Sequence, residues 1–130
     1  MITKINVTVL FVQDFETCLK FYRDTLGFKV KDTDEGFTSF DMGGHELALM
    51  ALPNASKMID EATVKPTEKG VHRALLAAFV ENTDVEYEAL TSKGVKFVKI
   101  PTTQPWGQRT AYFKDPEGNI WEISHIPGTK

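Results

Sequence analysis

Apolar and polar positions along the first 52 residues follow two periods in a fixed order, and that order returns after residue 70. Residues 4–12, rich in Val, Ile, Thr and Phe, read as a strand. Asp14 then offers a cap to a helix whose apolar residues Phe15, Cys18, Leu19, Tyr22 and Leu26 keep helical spacing. Gly27 stops this helix, and strands follow at about 28–33, 37–42 and 46–52, with Gly43 and Gly44 marking the last hairpin. From Val71 a strand runs to Val80. Thr83 and Glu86 then form a capping box for a helix reaching about Lys93, where Gly94 ends it. Strands at about 95–100, 108–114 and 119–125 complete the second copy, the last two joined by the turn Asp115, Pro116, Glu117, Gly118.

The two copies align by residue. Phe11 and Val12 match Phe79 and Val80, Gly27 matches Gly94, Phe28 to Val30 resembles Val95 to Phe97, and Gly44 matches Gly118. The pattern predicts an α+β fold of two βαβββ repeats within one domain, 1–130, repeat one covering about 4–52 and repeat two about 71–125. The segment 53–70 carries Pro, Asn, Ser, Lys, Glu and Thr with little periodicity, and reads as a plain tether or a lid over a site. A small sheet with one face on its helix leaves the other face open. Pairing two copies therefore predicts a concave cleft suited to a ligand.

Composition narrows the partners. At 42% hydrophobic and 25% charged, 130 residues suffice for one domain with a core. The 15 basic and 18 acidic residues are scattered and sum to −3, so no basic stripe exists to neutralise a phosphate backbone, and nucleic acid is a poor partner class. The apolar stretch Val7 to Val12 is interrupted by Thr8 and ended by Gln13 and Asp14, too short for a membrane span or a secretory core, which predicts a cytoplasmic protein. Cys18 has no second cysteine to pair with and falls on the apolar side of the first helix, where a thiol packs as a small hydrophobe.

The stretch from Val12, Gln13 and Asp14 through Phe21, Tyr22, Arg23, Asp24, Thr25, Leu26, Gly27 and Phe28 resembles the first-helix signature of the glyoxalase/bleomycin-resistance/extradiol-dioxygenase (vicinal oxygen chelate) superfamily. The ending Asp115, Pro116, Glu117, Gly118, Asn119, Ile120, Trp121, Glu122, Ile123 resembles its final hairpin, so the similarity spans nearly the whole chain. The resemblance implies the two-repeat fold and a homodimer. Such a superfold hosts lyases, dioxygenases, transferases and drug binders, so the fold alone does not choose among them.

The resemblance also directs attention to four positions, because enzymes of this family hold a divalent ion with a His or Glu from the first and last strand of each repeat. Counting from Asp14 gives Val7, the internal repeat carries this to Leu75, and the last-strand positions are Ala48 and Glu122. A register shift of two residues offers Ile5, Val9, Arg73 and Ala77 on the first strands, and Glu46 or Met50 in place of Ala48. None of these is a histidine. His45, His72 and His125 lie an odd number of residues from the inspected positions, which puts them on the opposite sheet face. Only Glu122 is kept. A Glu46–Glu122 pair completed by water would be oxygen-rich and suited to a hard cation.

Other candidates lie between the sixth and seventh strands. Pro101 to Arg109 joins Trp106 to Arg109 within a few residues, and an aromatic plate beside a guanidinium suits a flat or anionic ligand. The other reading has Trp106 packing on the sheet edge and Arg109 pairing with a nearby acid. Trp121 alternates with Glu122 and should face its helix, while Phe40, Met50, Tyr112 and Ile120 are candidate cleft walls. A carboxyl at Glu122 in an apolar cleft would be raised in pKa by desolvation and suit a general base or a ligand hydrogen bond. Solvation, or pairing with Arg109 or Arg73, is the other option.

Without a metal, glyoxalase-like proton transfer would lack the main stabiliser of its enediolate. The sequence therefore predicts a cofactor-free, small-molecule-binding protein similar to the drug-sequestering branch, a homodimer as the resemblance implies, anchored by Trp106, Arg109 and Glu122. A metal-dependent lyase or dioxygenase, and a metal-independent isomerase using Glu122 as base, are the alternatives.

Overall fold

In the computed structural model, the first alternating segment forms β1 (Val7–Val12), and Asp14 caps the helix after it. The Asp14 carboxylate accepts from the Thr17 amide at 3.2 Å and from the Thr17 hydroxyl at 2.8 Å. This helix, α1 (Phe15–Lys20), widens into a π turn over Phe21–Thr25, where the Leu26 amide donates to the Phe21 carbonyl at 2.9 Å. Gly27, at φ +75°, then turns the chain so that the Phe28 amide reaches the Tyr22 carbonyl. β2 (Lys29–Asp34), β3 (Phe37–Asp41) and β4 (Glu46–Ala51) complete a sheet of order β1-β4-β3-β2, parallel at β1–β4 and antiparallel elsewhere.

The structure describes residues 1, 3–66 and 74–128. The expected strand residues from Val71, with His72 and Arg73, lie outside the described residues. The chain divides into two units, Met1–Glu68 and Lys69–Lys130.

The second unit repeats the first. It holds β5 (Leu75–Phe79), the helix Thr83–Ser92, β6 (Phe97–Thr103), β7 (Arg109–Lys114) and β8 (Ile120–His125), in the order β5-β8-β7-β6 with only β5–β8 parallel. The fold is thus α+β with two βαβββ units, as the repeat predicts.

Three local features depart from the sequence reading. Leu52–Met58, expected to be the end of a strand at Leu52 and the start of a tether from Pro53, is a short helix, α2, with Pro53 in its first turn and Ala55 fully buried; seven residues are too few to show helical periodicity. The Thr83–Ser92 helix, α3, is capped by Asn82 rather than Thr83: the Asn82 Oδ1 accepts from the Val85 amide at 3.0 Å, while the buried Thr83 hydroxyl donates to the Arg109 carbonyl at 2.8 Å. β6 runs through Pro101, expected in a loop. It is an edge strand whose ladder to β7 is interrupted twice, and proline is tolerated where no ladder donor is needed.

Residues directly across a ladder share a sheet face, and the face alternates along each strand. In the first unit one face carries Val12, Leu47, Leu49 and Phe40, all buried; Phe40 packs on Tyr22 and Phe28 at 6.1 and 5.9 Å between ring centroids. The other face carries Val7, Val9 and Phe11 beside Glu46, Ala48 and Met50. In the second unit Trp121 and Ile123 bury the helix-side face, with the Trp121 ring stacked on Phe113 at 6.0 Å. Leu75, Ala77 and Phe79 run beside Ile120, Glu122 and Ser124 on the open one.

No helix among the described residues is long and apolar enough to cross a membrane.

Candidate functional site

The register settles which sequence candidates share a face. Ala48 lies opposite Val9, and Glu122 lies opposite Ala77, so the first-strand neighbours of the two last-strand positions are both aliphatic. Glu46 sits on the same open face as Val7 and forms an ion pair with Lys31 at 3.2 Å. Within either unit, no group of three His, Cys, Asp or Glu among the described residues could hold a metal ion. Val9, Ala48 and Ala77 offer no donor atom, so the residues at these positions do not fit the family's ion.

Glu122 is engaged by Tyr112, its cross-strand neighbour on β7. The phenol donates to Oε2 at 2.6 Å, and among the described residues no hydrogen bond reaches Oε1. The carboxylate beside it, and burial after that, hold the Tyr112 phenol above its ordinary pKa, against a smaller opposing effect of the Thr110 hydroxyl. The Gln104 side-chain amide donates to that hydroxyl at 2.9 Å. Gln104, Thr110, Tyr112 and Glu122 thus form a line of polar groups on a face that also carries Leu75, Ala77, Phe79, Ile120, Ser124 and Lys114.

Trp106 stands at one end of that face. Gly107, at φ +95°, closes the turn between β6 and β7, with the Gln104 amide donating to the Gln108 carbonyl at 2.8 Å. The Trp106 indole donates to Gln108 Oε1 at 3.0 Å, and Gln108 Nε2 donates to the buried Ser124 hydroxyl at 2.8 Å. An indole 68% exposed is therefore tied to the sheet through two hydrogen bonds.

A hollow of about 740 Å³ opens beside it, within the size range of ligand sites. It is lined by Phe79, Glu81, Trp106, Gln108, Ser124 and His125, together with Val80 and Ile126. The His125 Nδ1 accepts from the Thr83 amide at 2.8 Å, so its ring proton belongs on Nε2. Of these residues only Trp106 stands out in the sequence. Phe79 was legible in principle, because it follows Leu75 and Ala77 by the period of two that marks the open face.

Two expected ligand contacts are corrected. Phe40 is fully buried on the helix side of the first sheet, since its ladder partner is Leu47 and not Ala48. Arg109 pairs across β8 with His125, on the face opposite Glu122, and its guanidinium binds Asp84 through two hydrogen bonds of 2.7 and 2.8 Å and Thr103 at 3.1 Å. That fork draws the Asp84 carboxyl below the usual carboxylate range. Met50 and Tyr112 do lie on open faces, one in each unit. The His45 ring, placed off the inspected face by its parity, contacts the Thr8 hydroxyl at 2.8 Å and the Ile5 carbonyl at 3.2 Å, tying the start of β1 to β4.

Comparison with known proteins agrees with this architecture. The family model for the Glyoxalase/Bleomycin resistance protein/Dioxygenase superfamily matches residues 4–123. The chain is 35% identical to the uncharacterized protein YurT of Bacillus subtilis (strain 168) over 130 residues, covering 92% of this chain and 97% of that protein. A crystal structure of a glyoxalase/bleomycin resistance protein/dioxygenase from Nocardioides is similar with a TM-score of 0.83 at 26% identity, covering 100% of this chain and 91% of the other. A superfamily member from Sphaerobacter thermophilus DSM 20745 gives 0.70 at 30% identity, covering 95% and 97%. With both repeats and their shared strand order accounted for, the chain belongs to the Glyoxalase/Bleomycin resistance protein/Dioxygenase superfamily.

Proposed function

We propose that this protein binds a small molecule, as a cytoplasmic homodimer, without the complete metal site of the family's enzymes. The observation that carries the reading is the donor set: Val9 beside Ala48 in one sheet and Ala77 beside Glu122 in the other supply a single carboxylate, and a tyrosine already holds one of its oxygens. A lone carboxylate is a weak divalent site, since selectivity and affinity come from several donors in fixed geometry. What these faces do offer is aliphatic and aromatic area with few, oriented polar groups, the usual composition of a ligand site. Trp106, Tyr112, Glu122 and Met50 are the anchors of this reading, with Arg109 and Phe40 acting in support of the fold.

Titration calorimetry of chelator-stripped protein with nickel, manganese, ferrous iron and zinc tests it, with Glu122→Ala alongside. No saturable one-to-one binding is expected. Tight binding abolished in the variant would overturn the reading and restore the metal-dependent lyase or dioxygenase.

One observation favours a second reading. The open Oε1 of Glu122, beside an oriented phenol, is the arrangement a metal-independent isomerase would use for proton abstraction, with Glu122 as base and Tyr112 fixing it. In that case Glu122→Gln abolishes turnover while ligand binding persists.

A further inference from the structure

Thr83 is the first residue of α3, and a helix leaves the amides of its first turn without partners inside the helix. The Asn82 side chain caps the Val85 amide. The buried Thr83 amide finds its acceptor 42 residues further along the chain, at Nδ1 of His125 on the last residue of β8, 2.8 Å away. The cap on this donor is a ring that can take up a proton.

The Thr83 hydroxyl gives the arrangement two distinct states. Its oxygen lies 2.7 Å from the same Nδ1 and 2.8 Å from the Arg109 carbonyl, which can only accept. With the ring neutral, the amide donates to Nδ1 and the hydroxyl proton serves the carbonyl. With a proton taken from solvent onto Nδ1, the ring donates to the hydroxyl oxygen, the hydroxyl still donates to the carbonyl, and the amide faces a donor. One bond replaces another. The ring stays tied to Thr83 in both states, but the helix backbone is held in only one.

Charged groups reach this ring from three directions. Asp84 follows Thr83 on α3, where hydrogen bonding from Arg109 first and the charge of His125 last draw its carboxyl down. Glu81, in the turn before α3, lines the same hollow as the ring. Arg109 lies directly across the β7–β8 ladder. The two carboxylates attract an imidazolium, whereas Arg109 and the positive end of α3 repel it. A charged ring therefore acts on the helix end twice, through the lost bond and through the helix dipole.

We propose that His125 is a pH-sensitive latch on the first turn of α3: the neutral imidazole holds the Thr83 amide, and the imidazolium lets it go. The latch needs no ligand, so it is independent of the small-molecule reading.

NMR of the full chain tests it, with amide exchange expressed relative to the unstructured rate at each pH. The nitrogen spectrum of the His125 ring should show a bare Nδ1 and a protonated Nε2 at about pH 8. From about pH 8 to about pH 5, the range in which imidazole changes charge, protection of the Thr83 amide should fall about tenfold or more, in step with titration of the ring. The Val85 amide, capped by Asn82, should change little. His125→Asn places a non-titrating acceptor where Nδ1 stood and should make Thr83 protection independent of pH. His125→Phe, with no acceptor, should leave that amide poorly protected throughout, with unchanged far-ultraviolet circular dichroism as the check on folding. A proton on Nδ1 at the alkaline end, constant Thr83 protection in the wild type, or equal loss at Val85 overturns the latch. So does a pH-dependent fall that persists in His125→Asn, since another group would then be driving it.

Discussion

The phenol of Tyr112 donates a 2.6 Å hydrogen bond to Oε2 of Glu122 across the β7–β8 ladder. The pair fixes the carboxylate on the open face and leaves its second oxygen without a hydrogen bond among the described residues. Because the neutral phenol is the form that donates, the carboxylate opposes formation of a tyrosinate, and burial adds to this. Tyr112 should therefore titrate above the ordinary tyrosine value of about 10. A raised folded-state pKa means that this contribution to stability is complete below that ordinary value and is lost as pH rises through the folded value. In Glu122→Gln the titration of Tyr112, followed by carbon NMR of its ring Cζ, should move down. No movement would show that the pair is not what holds the phenol neutral.

The tether from Trp106 through Gln108 to Ser124 predicts a different signature. Gln108→Ala frees the indole N–H and strips the buried Ser124 hydroxyl of its donor, at a cost of about 1–3 kcal/mol for an unsatisfied buried group. The Trp106 indole proton should exchange with solvent faster, while that of Trp121, stacked on Phe113 in the core, should not change. Equal exchange of Trp106 in both proteins would mean that the hydrogen bond confers no order on the ring.

Phe40→Ala separates core from site. The side chain is fully buried among Tyr22 and Phe28, so truncation should cost about 3–5 kcal/mol in denaturant unfolding. Ligand affinity measured well below the unfolding transition should be unaffected. A stability loss under about 1 kcal/mol would place the ring outside the core.

How much of the molecule is legible in its chain depends on which interactions are local. The βαβββ repeat, the stops at Gly27 and Gly94 and the cap at Asp14 depend on residues a few positions apart, and the structure has them where the sequence puts them. The assignment of Phe40 failed because a residue's face is known only relative to its ladder partner, and no local signal says that Phe40 meets Leu47 and not Ala48. Arg109 was closer to legible. The tight turn at Asp115, whose side chain accepts from the Glu117 and Asn119 amides, sets Lys114 against Ile120, and counting back from there places Arg109 against His125. The parity that removes His125 from the Glu122 face therefore removes Arg109 too. Its partner Asp84, 25 residues earlier, belongs to tertiary structure, and so does the hollow formed where β5, β8 and the Trp106 turn converge.

An arginine committed to Asp84 has a consequence for pH that a ligand-binding arginine would not. Hydrogen bonding from the guanidinium, and after it the attraction of its charge, hold Asp84 below the usual carboxylate range, against some desolvation. A depressed folded-state pKa stabilises the fold above the ordinary value, about pH 4, and that contribution is lost as pH falls through the folded value. Both side chains are partly open to solvent, at 29% for Arg109 and 48% for Asp84, so screening keeps the effect small. Asp84→Asn should lower the melting temperature slightly at neutral pH, with a deficit that narrows in high salt and closes as the wild type is taken into acid. Arg109→Gln should trace the same curve, since either change breaks the same fork. Melts of the three proteins across acid and neutral pH decide the matter: a variant of Arg109 as stable as the wild type, but impaired in binding an anionic ligand, would return this residue to the site.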